Sequence, residues 1–332
     1  MPAASRRRFL VACSTSAAGL TLATPADAAL LDDCEQRLTG RAFGAAASLA
    51  VRHRTPELAR RAADAAFREL LRVEGLLTLY RPDSPLVLLN RTGRLDRPPR
   101  ELREVLAAAQ HYSELTHGAF DVTVQPLWEL HARARRAGRL PDATELADAR
   151  SRVDWRRVQI ERDFIRLTRS DVQITLNGIA QGYVADCVRR TLLEHGVVSA
   201  LIDAGEVSAL GRRGGGEPWR VGIQHPREAD AFAAVAQLAG RCLATSGDYS
   251  TSFVDDHSRH HVFDPRSGCS PTQLASVSIA APTAMAADAL ATAALVLGPD
   301  RTARLIQTLP RVDALLVSKD GRMQATSGFP RL

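Results

Sequence analysis

Asp288 and Thr292 place a carboxylate and a hydroxyl four residues apart in the Ala-rich segment Ala287-Asp288-Ala289-Leu290-Ala291-Thr292-Ala293. In a helix, side chains at this spacing lie over one another on the same face. An ionised Asp surrounded by Ala and Leu would carry a large desolvation cost, so a positively charged partner is expected beside it. A hard cation that prefers oxygen ligands fits this pair. An Asp at a helix N-cap or on a solvated face is the alternative.

Four other segments combine polar residues that could bind or act on a ligand. Three are glycine turns with acids, amides or hydroxyls beside them, and the fourth places His, Asp and Arg on one turn: residues 177–183, 203–206, 245–249 and 260–268. Glycine lets the backbone approach a ligand, and a helix N-terminus offers unpaired N–H groups to a phosphate. Each segment taken alone is also typical of an ordinary turn. Neither a GxSxG nucleophile elbow nor a Walker phosphate loop is present.

The hydrophobic periodicity predicts which elements hold these segments. A strand over 172–176 should lead through Asn177-Gly178 into a helix, and the Ala-rich segment falls in a helix over 284–297. A first strand is predicted at 43–53, and a helix-rich insert at about 118–150. Strands and helices are mixed without a regular βαβ repeat. This pattern predicts the α+β class, with mixed strands and helices in one large domain.

The N-terminal residues have the features of an export signal. Ser5-Arg6-Arg7-Arg8-Phe9-Leu10 is a twin-arginine pattern, followed by a mildly apolar run and the small-residue cleavage site Ala26-Asp27-Ala28. We therefore expect residues 1–28 to be a signal peptide, and residues 29–332 to form the mature protein in the periplasm. Lipidation at Cys13 is the alternative, although only four apolar residues precede that cysteine after the arginines.

The charge balance argues against a nucleic-acid partner. The chain carries a formal net charge of +6, which falls to about +4 without the signal peptide because three arginines and one aspartate are lost. No cluster of Lys and Arg is interleaved with aromatic residues. Four cysteines remain after residue 28, without a CxxC pair or a zinc-ligand spacing. The sequence does not name a disulfide pair, and Cys187 is expected to be a buried free thiol.

The order of these segments along the chain resembles that of the ApbE-type FAD:protein FMN transferases. The resemblance runs from about Phe43 to Gly298. Seven ordered motifs carry it: Tyr80-Arg81-Pro82-Asp83-Ser84 with Asn90, Gly118-Ala119-Phe120-Asp121-Val122-Thr123 with Pro126-Leu127, then residues 178–186, 203–211, 245–249, 261–268 and 287–292. It implies one large ApbE-like domain, related to the T-fold, with a helical insert.

The resemblance implies a Mg²⁺-dependent reaction in which the FMN moiety of FAD passes to an acceptor flavoprotein. The acceptor hydroxyl belongs to a Thr or Ser within a Ser/Thr-Gly-Ala-Ser/Thr target, and AMP is released. Residues at the positions expected to bind FAD are Phe43, Tyr80, Ala119, Phe120, Asp121, Thr175, Gln181 and Phe263. Those expected to hold the cation are Asp288 and Thr292, with the backbone carbonyls of Gly178 and Ala291.

The implied chemistry needs two kinds of group. Cleaving a pyrophosphate requires neutralisation of the charge that develops on its oxygens, which a magnesium ion provides. A weak hydroxyl nucleophile also needs its proton removed by a nearby imidazole or carboxylate. The resemblance places His261 and Asp264 beside the reacting phosphates, and either residue could be this base.

The chain departs from the family pattern at three positions. Thr175 stands where many members have Asp, Gln181 where many have Lys, and Phe43 where Met is usual. Thr175 and Gln181 weaken the phosphate side, which leaves a periplasmic flavin-binding carrier with little catalysis as a second hypothesis. A third is an FAD pyrophosphatase in which water replaces the acceptor hydroxyl. The variant over 175–183, together with the twin-arginine pattern, is similar to the NosX-like branch, whose members supply flavin to a membrane regulator needed for nitrous-oxide reductase maturation.

Overall fold

The computed structural model describes residues 34–332. The expected signal peptide and Cys13 lie outside the described residues, so the export signal, the domain boundary at residue 29 and the lipidation alternative stay predictions. Within the described range, helices and strands are mixed along the chain and the sheets are antiparallel. This arrangement confirms the predicted α+β class.

The elements are numbered in chain order. The strands are β1 (Cys34–Ala42), β2 (Ala45–His53), β3 (Arg94–Asp96), β4 (Val158–Ile160), β5 (Phe164–Leu167), β6 (Ser199–Asp203), β7 (Val207–Leu210), β8 (Trp219–Gln224), β9 (Phe232–Leu238), β10 (Cys242–Gly247), β11 (Leu274–Ala281), β12 (Asp313–Ser318) and β13 (Met323–Ala325). The α-helices are α1 (Pro56–Leu77), α2 (Pro85–Thr92), α3 (Arg100–Leu115), α4 (Gln125–Arg136), α5 (Ala143–Ser151), α6 (Ala180–Glu194), α7 (Ala284–Leu297) and α8 (Pro299–Gln307).

A central sheet of eight strands has the order β1-β2-β6-β7-β10-β11-β12-β13. Every neighbouring pair in it is antiparallel. Strands β3, β5 and β4 form a second sheet, and β8 pairs with β9. Because successive side chains of a strand point to opposite faces, both faces of the central sheet need a cover.

Helices α1, α6 and α7 cover one face of the central sheet, and the β8–β9 pair covers the other. Along β2, Leu49 and Val51 lie in the core under the helices, whereas Ala50 packs with Trp219 and Val221 of β8. Helix α6 contacts both α1 and α7. Helix α6 therefore packs between α1 and α7 in the helix layer, and its first turn contains the predicted site residue Gln181.

The predicted strand over 172–176 is wrong, because this segment is extended but belongs to no sheet. Its backbone groups are satisfied by other partners. The side chain of Asn90 accepts from the N–H of Ile174 at 2.7 Å and donates to its carbonyl at 2.8 Å. The N–H of Thr175 donates to the carbonyl of Val122 at 2.8 Å. A buried apolar run held in this way has the same sequence pattern as a strand.

The first predicted strand begins at Ala45, because Phe43 lies in the turn that joins β1 to β2. Phe43 has a φ of 48°, and its N–H donates to Glu74 Oε1 at 2.6 Å. Strand β1 itself was not predicted from the sequence. It lies at one edge of the central sheet, next to β2, and carries many partly exposed polar side chains.

Helices α6 and α7 approach each other closely at Gly182. A Cβ atom on this glycine would lie 2.3 Å from the carbonyl oxygen of Ala284 and 2.7 Å from the Cα of Met285. Asp186, one turn further along α6, accepts hydrogen bonds of 2.9 Å from the N–H groups of Ala284 and Met285. Gly182 and Asp186 therefore hold the first turn of α7 against α6.

The four cysteines in the described range are free thiols, and Cys187 is buried as predicted. None of the helices within residues 34–332 has the length and apolar character needed to cross a membrane.

The variant Gly182→Ala should be destabilised, because its methyl group would meet backbone atoms that cannot move aside. We expect the free energy of unfolding to fall by about 1–3 kcal/mol, the usual range for overpacking.

Gly75→Ala in α1 is the matched control, since a Cβ there meets only the flexible end of Arg81, at 3.1 Å. Alanine favours a helix over glycine by about 1 kcal/mol, so this control should be neutral or stabilised. Urea denaturation measures both variants, and a Gly182→Ala protein as stable as the wild type would contradict the close contact.

Candidate functional site

An open cleft beside α7 encloses about 730 Å³ of empty space, its mouth included. It brings together most of the predicted site residues: Ala119, Phe120, Asp121, Thr175, Gly178, His261, Phe263, Asp288 and Thr292. They come from the loop after α3, the segment before α6, the long connection between β10 and β11, and α7. The fold thus assembles in one place residues that are far apart in the sequence.

Asp288 is buried in the body of α7, with 3% of its surface exposed. Thr283 is the N-cap of this helix, so Asp288 neither caps it nor lies on a solvated face. Its Oδ2 accepts a 3.0 Å hydrogen bond from the N–H of Gly182. That N–H lies in the first turn of α6, where backbone donors have no partner within the helix and carry partial positive charge. The N-terminus of α6 is therefore a positive partner of the kind that this buried carboxylate requires.

Thr292 lies one turn beyond Asp288, and its Oγ1 is 3.2 Å from the Oγ of Ser246. A Cβ atom on Gly178 would lie 2.9 Å from the same Oγ1, so the turn before α6 passes close to this hydroxyl. Within residues 34–332, no three His, Cys, Asp or Glu side chains form a group that could hold a metal ion. One carboxylate with hydroxyl and carbonyl oxygens is nevertheless a donor set that suits Mg²⁺. The residues present therefore fit a hard cation.

His261 lines the cleft, whereas Asp264 does not. The Nδ1 of His261 lies 3.3 Å from the carbonyl oxygen of Thr251, and a hydrogen bond there places the proton on Nδ1 and the basic lone pair on Nε2. Both carboxylate oxygens of Asp264 accept from the guanidinium of Arg266 at 2.8 Å. The carbonyl of Asp264 also closes its turn by accepting from the N–H of Gly268 at 2.8 Å. This geometry favours His261 as the base.

Asp121 joins the loop after α3 to the segment at Trp155. Its Oδ1 accepts from the N–H and the hydroxyl of Thr123 at 2.7 and 2.6 Å, and its Oδ2 accepts from the N–H of Trp155 at 3.1 Å. Burial raises the pKa of Asp121 to about 6, although these hydrogen bonds act in the opposite direction. The carboxylate anchors the cleft wall that Ala119 and Phe120 form.

The remaining predicted site residues lie outside the cleft lining: Phe43, Tyr80, Gln181, Asp264 and Ala291. Tyr80 is 71% exposed, and Ala291 is fully buried within α7. The side chain of Gln181 packs across Gly205, where a Cβ atom would lie 2.2 Å from the Gln181 amide nitrogen. The contacts of these residues with FAD, the phosphates or a cation stay predictions.

Val124 and Trp128 line the cleft and were not predicted from the sequence. Trp128 belongs to α4, the first helix of the insert, and Phe263 packs in the small core of this insert with Leu127. The insert therefore forms one wall of the cleft. The apolar face of α4 gave no signal of this role, because it has the same pattern as any packed helix.

The segment over 245–249 combines a site residue with a structural one. Ser246 reaches the cleft, but Asp248 is fully buried and forms an ion pair with Arg227, with N–O distances of 2.7 and 2.8 Å. Lys319 lies 3.3 Å from the same carboxylate. The sequence showed an acid among hydroxyl residues and could not show that this acid had distant cationic partners.

Comparison with known proteins gives a consistent result. The model of the ApbE family matches residues 43–316. An FAD:protein FMN transferase of Treponema pallidum is 32% identical over 291 residues, which cover 81% of this chain and 80% of the relative. The crystal structure of an ApbE protein from Thermotoga maritima has a TM-score of 0.81 at 27% identity and covers 90% of this chain and all of its own. The apo form of the flavinyl transferase ApbE from Pseudomonas stutzeri has a TM-score of 0.77 at 29% identity, covering 89% of this chain and 96% of its own.

Asp121→Asn should change the pH dependence of stability. The pKa of Asp121 is raised from 3.8 to about 6, so the folded protein binds this proton more tightly than the unfolded chain. The resulting stabilisation is complete below about pH 4 and is lost as the pH rises through about 6. Relative to the Asn variant, the wild type should therefore lose about 2 kcal/mol of unfolding free energy between pH 4 and pH 7. Urea denaturation of both proteins measures the difference, and an opposite slope would show that hydrogen bonding to the carboxylate outweighs burial.

Proposed function

The chain belongs to the ApbE family, and we propose that it is an FAD:protein FMN transferase. In this reaction the FMN moiety of FAD passes to a Ser or Thr hydroxyl of an acceptor flavoprotein. The relative from Treponema pallidum bears the name of this activity. The observation that supports the proposal most directly is the meeting of Gly178, His261, Asp288 and Thr292 in one cleft.

The charge of the cleft favours cation-dependent chemistry. The chain has 43 Lys and Arg residues, yet none of them is among the residues that line the cleft. In the proposed site Asp288 and Thr292 would hold Mg²⁺, and the carbonyls of Gly178 and Ala291 would be further ligands. When bound, the ion would neutralise charge on the pyrophosphate of FAD. The N–H groups in the first turn of α6 add a weaker positive field.

His261 is the proposed general base. Its Nε2 takes the proton of the acceptor hydroxyl while the hydroxyl oxygen forms a bond to the phosphorus of the FMN moiety. The bond between that phosphorus and the bridging oxygen breaks, and AMP leaves with the bridging oxygen. Phe120 and Phe263 supply apolar surface in the cleft, which limits the access of water that would otherwise replace the acceptor.

The location and the acceptor are part of the proposal. The twin-arginine pattern supports export to the periplasm, where the acceptor would carry a Ser/Thr-Gly-Ala-Ser/Thr target. Similarity of residues 175–183 to the NosX-like branch supports a membrane regulator of nitrous-oxide reductase as that acceptor.

Incubation of the mature protein with FAD, Mg²⁺ and a domain bearing this target should attach flavin covalently to the domain and release AMP. In-gel flavin fluorescence and chromatography measure the two products. Asp288→Asn should abolish Mg²⁺-dependent labelling and retain the fold, because its amide oxygen can still accept from Gly182; thermal unfolding is the control. AMP without labelling would indicate an FAD pyrophosphatase, and bound flavin with neither product would indicate a carrier.

His261→Gln should slow single-turnover flavin transfer by about 10²- to 10⁴-fold, the usual contribution of a general base. Asp264→Asn is the comparison, and it should slow transfer far less because its carboxylate is held by Arg266. Both variants are compared at saturating FAD, so that a change in binding does not enter the rate. A larger defect in Asp264→Asn would reverse the assignment.

A further inference from the structure

Helices α6 and α7 each supply a carboxylate to the N-terminus of the other. Asp186 of α6 accepts from the N–H groups of Ala284 and Met285, at the start of α7. Asp288 of α7 accepts from the N–H of Gly182, in the first turn of α6. The unpaired donors of both helix starts are thus satisfied across the same contact.

The residues that α6 and α7 bring together at this contact are spaced four apart along each segment. Three residues of α6 and the turn before it face three residues of α7 in reverse order: Asp186, Gly182 and Gly178 face Ala284, Asp288 and Thr292. Because four residues make about one helical turn, each pair of facing residues lies about one turn from the next pair on both helices. The positions of Asp288 and Thr292 relative to Gly178 therefore follow from where the first turn of α7 is held.

Capping of the α7 N-terminus does not by itself explain the two hydrogen bonds that Asp186 accepts from it. Thr283 already caps α7, since its side chain accepts from the N–H of Ala286 at 3.2 Å. The two hydrogen bonds of Asp186 are added to the same turn from a neighbouring helix. They fix α7 along α6, whereas a cap within the chain at Thr283 cannot do so.

We propose that Asp186 is a positioning residue for the cation site, which presupposes the site proposed above at Asp288. Asp186 lies outside the cleft lining, so its role would not require contact with the cation or the substrate. It holds α7 in the register that brings Asp288 and Thr292 beside Gly178. The affinity of the site for a divalent cation therefore depends on a carboxylate that is not a ligand.

Mn²⁺ binding to the mature protein without FAD tests this role, with free Mn²⁺ measured by EPR and Mg²⁺ by competition. Asp186→Ala should weaken Mn²⁺ binding by about 10- to 100-fold, as is usual when a group that orients a metal ligand is removed. Asp186→Asn keeps one acceptor oxygen and should lie between this variant and the wild type. Thermal unfolding is measured on every variant.

Asp142→Ala is the matched control. Asp142 caps α5 by accepting from the N–H groups of Thr144 and Glu145 at 2.9 Å, and it also lies outside the cleft lining. Its loss should cost about 1 kcal/mol of stability, the usual value for a cap, with no change in Mn²⁺ affinity.

Two outcomes would overturn the role of Asp186, and they are distinguishable. In the first outcome, Asp186→Ala loses stability as Asp142→Ala does but binds Mn²⁺ like the wild type, and Asp288→Ala does not bind Mn²⁺. Asp186 is then only a cap, and the cation site at Asp288 stands. If Asp288→Ala also binds Mn²⁺ like the wild type, the cation site itself is wrong.

Discussion

At residue 182, a Cβ atom would lie 2.3 Å from a backbone oxygen of α7, so α6 and α7 can meet as they do only through glycine. The same contact puts the N–H of Gly182 within 3.0 Å of the carboxylate of Asp288 and the start of α7 within reach of Asp186. A side chain at residue 182 would separate the helices and weaken both interactions. The close packing at Gly182 therefore determines where the face of α7 that carries Asp288 and Thr292 lies, independently of any ligand.

This contact also explains how a carboxylate is accommodated inside an apolar helix. Removing a charge from water costs several kcal/mol in a protein interior unless partners compensate for it. The N-terminus of α6 provides one such partner for Asp288, so the residue is compatible with the folded chain in the absence of a cation. A carboxylate has about four acceptor positions on its two oxygens, so a hydrogen bond from Gly182 and a cation are not alternatives. The N–H orients the carboxylate, and the cation would use that orientation.

Features with a local cause could be predicted from the sequence. Helix α7 was expected over 284–297 and is found at Ala284–Leu297, because its apolar run and the glycine that ends it are both local signals. The extended segment at 172–176 could not be distinguished from a strand, since its hydrogen-bond partner Asn90 is 84 residues away from Ile174. The two candidate bases also differ in their partners: Arg266, two residues from Asp264, binds that carboxylate, whereas His261 lines the cleft. The residue types were evident in the sequence, and their pairing was not.

Residue 181 is a neutral Gln where many members of the family have Lys, and the cleft lining likewise contains no cationic side chain. Gln181 packs across Gly205, whose φ of 101° and close contact leave no room for a side chain, so the amide helps to hold the loop that follows β6. A neutral side chain there, and a cleft lining that contains neither Lys nor Arg, leave few groups that can offset the charge of a pyrophosphate. In the proposed site, those that remain would be the helix N-terminus and a cation at Asp288. An isolated N-terminus contributes only about half an elementary charge, far less than a pyrophosphate carries. In the proposed reaction, charge neutralisation would therefore rest on the cation, and through it on the α6–α7 contact that orients Asp288.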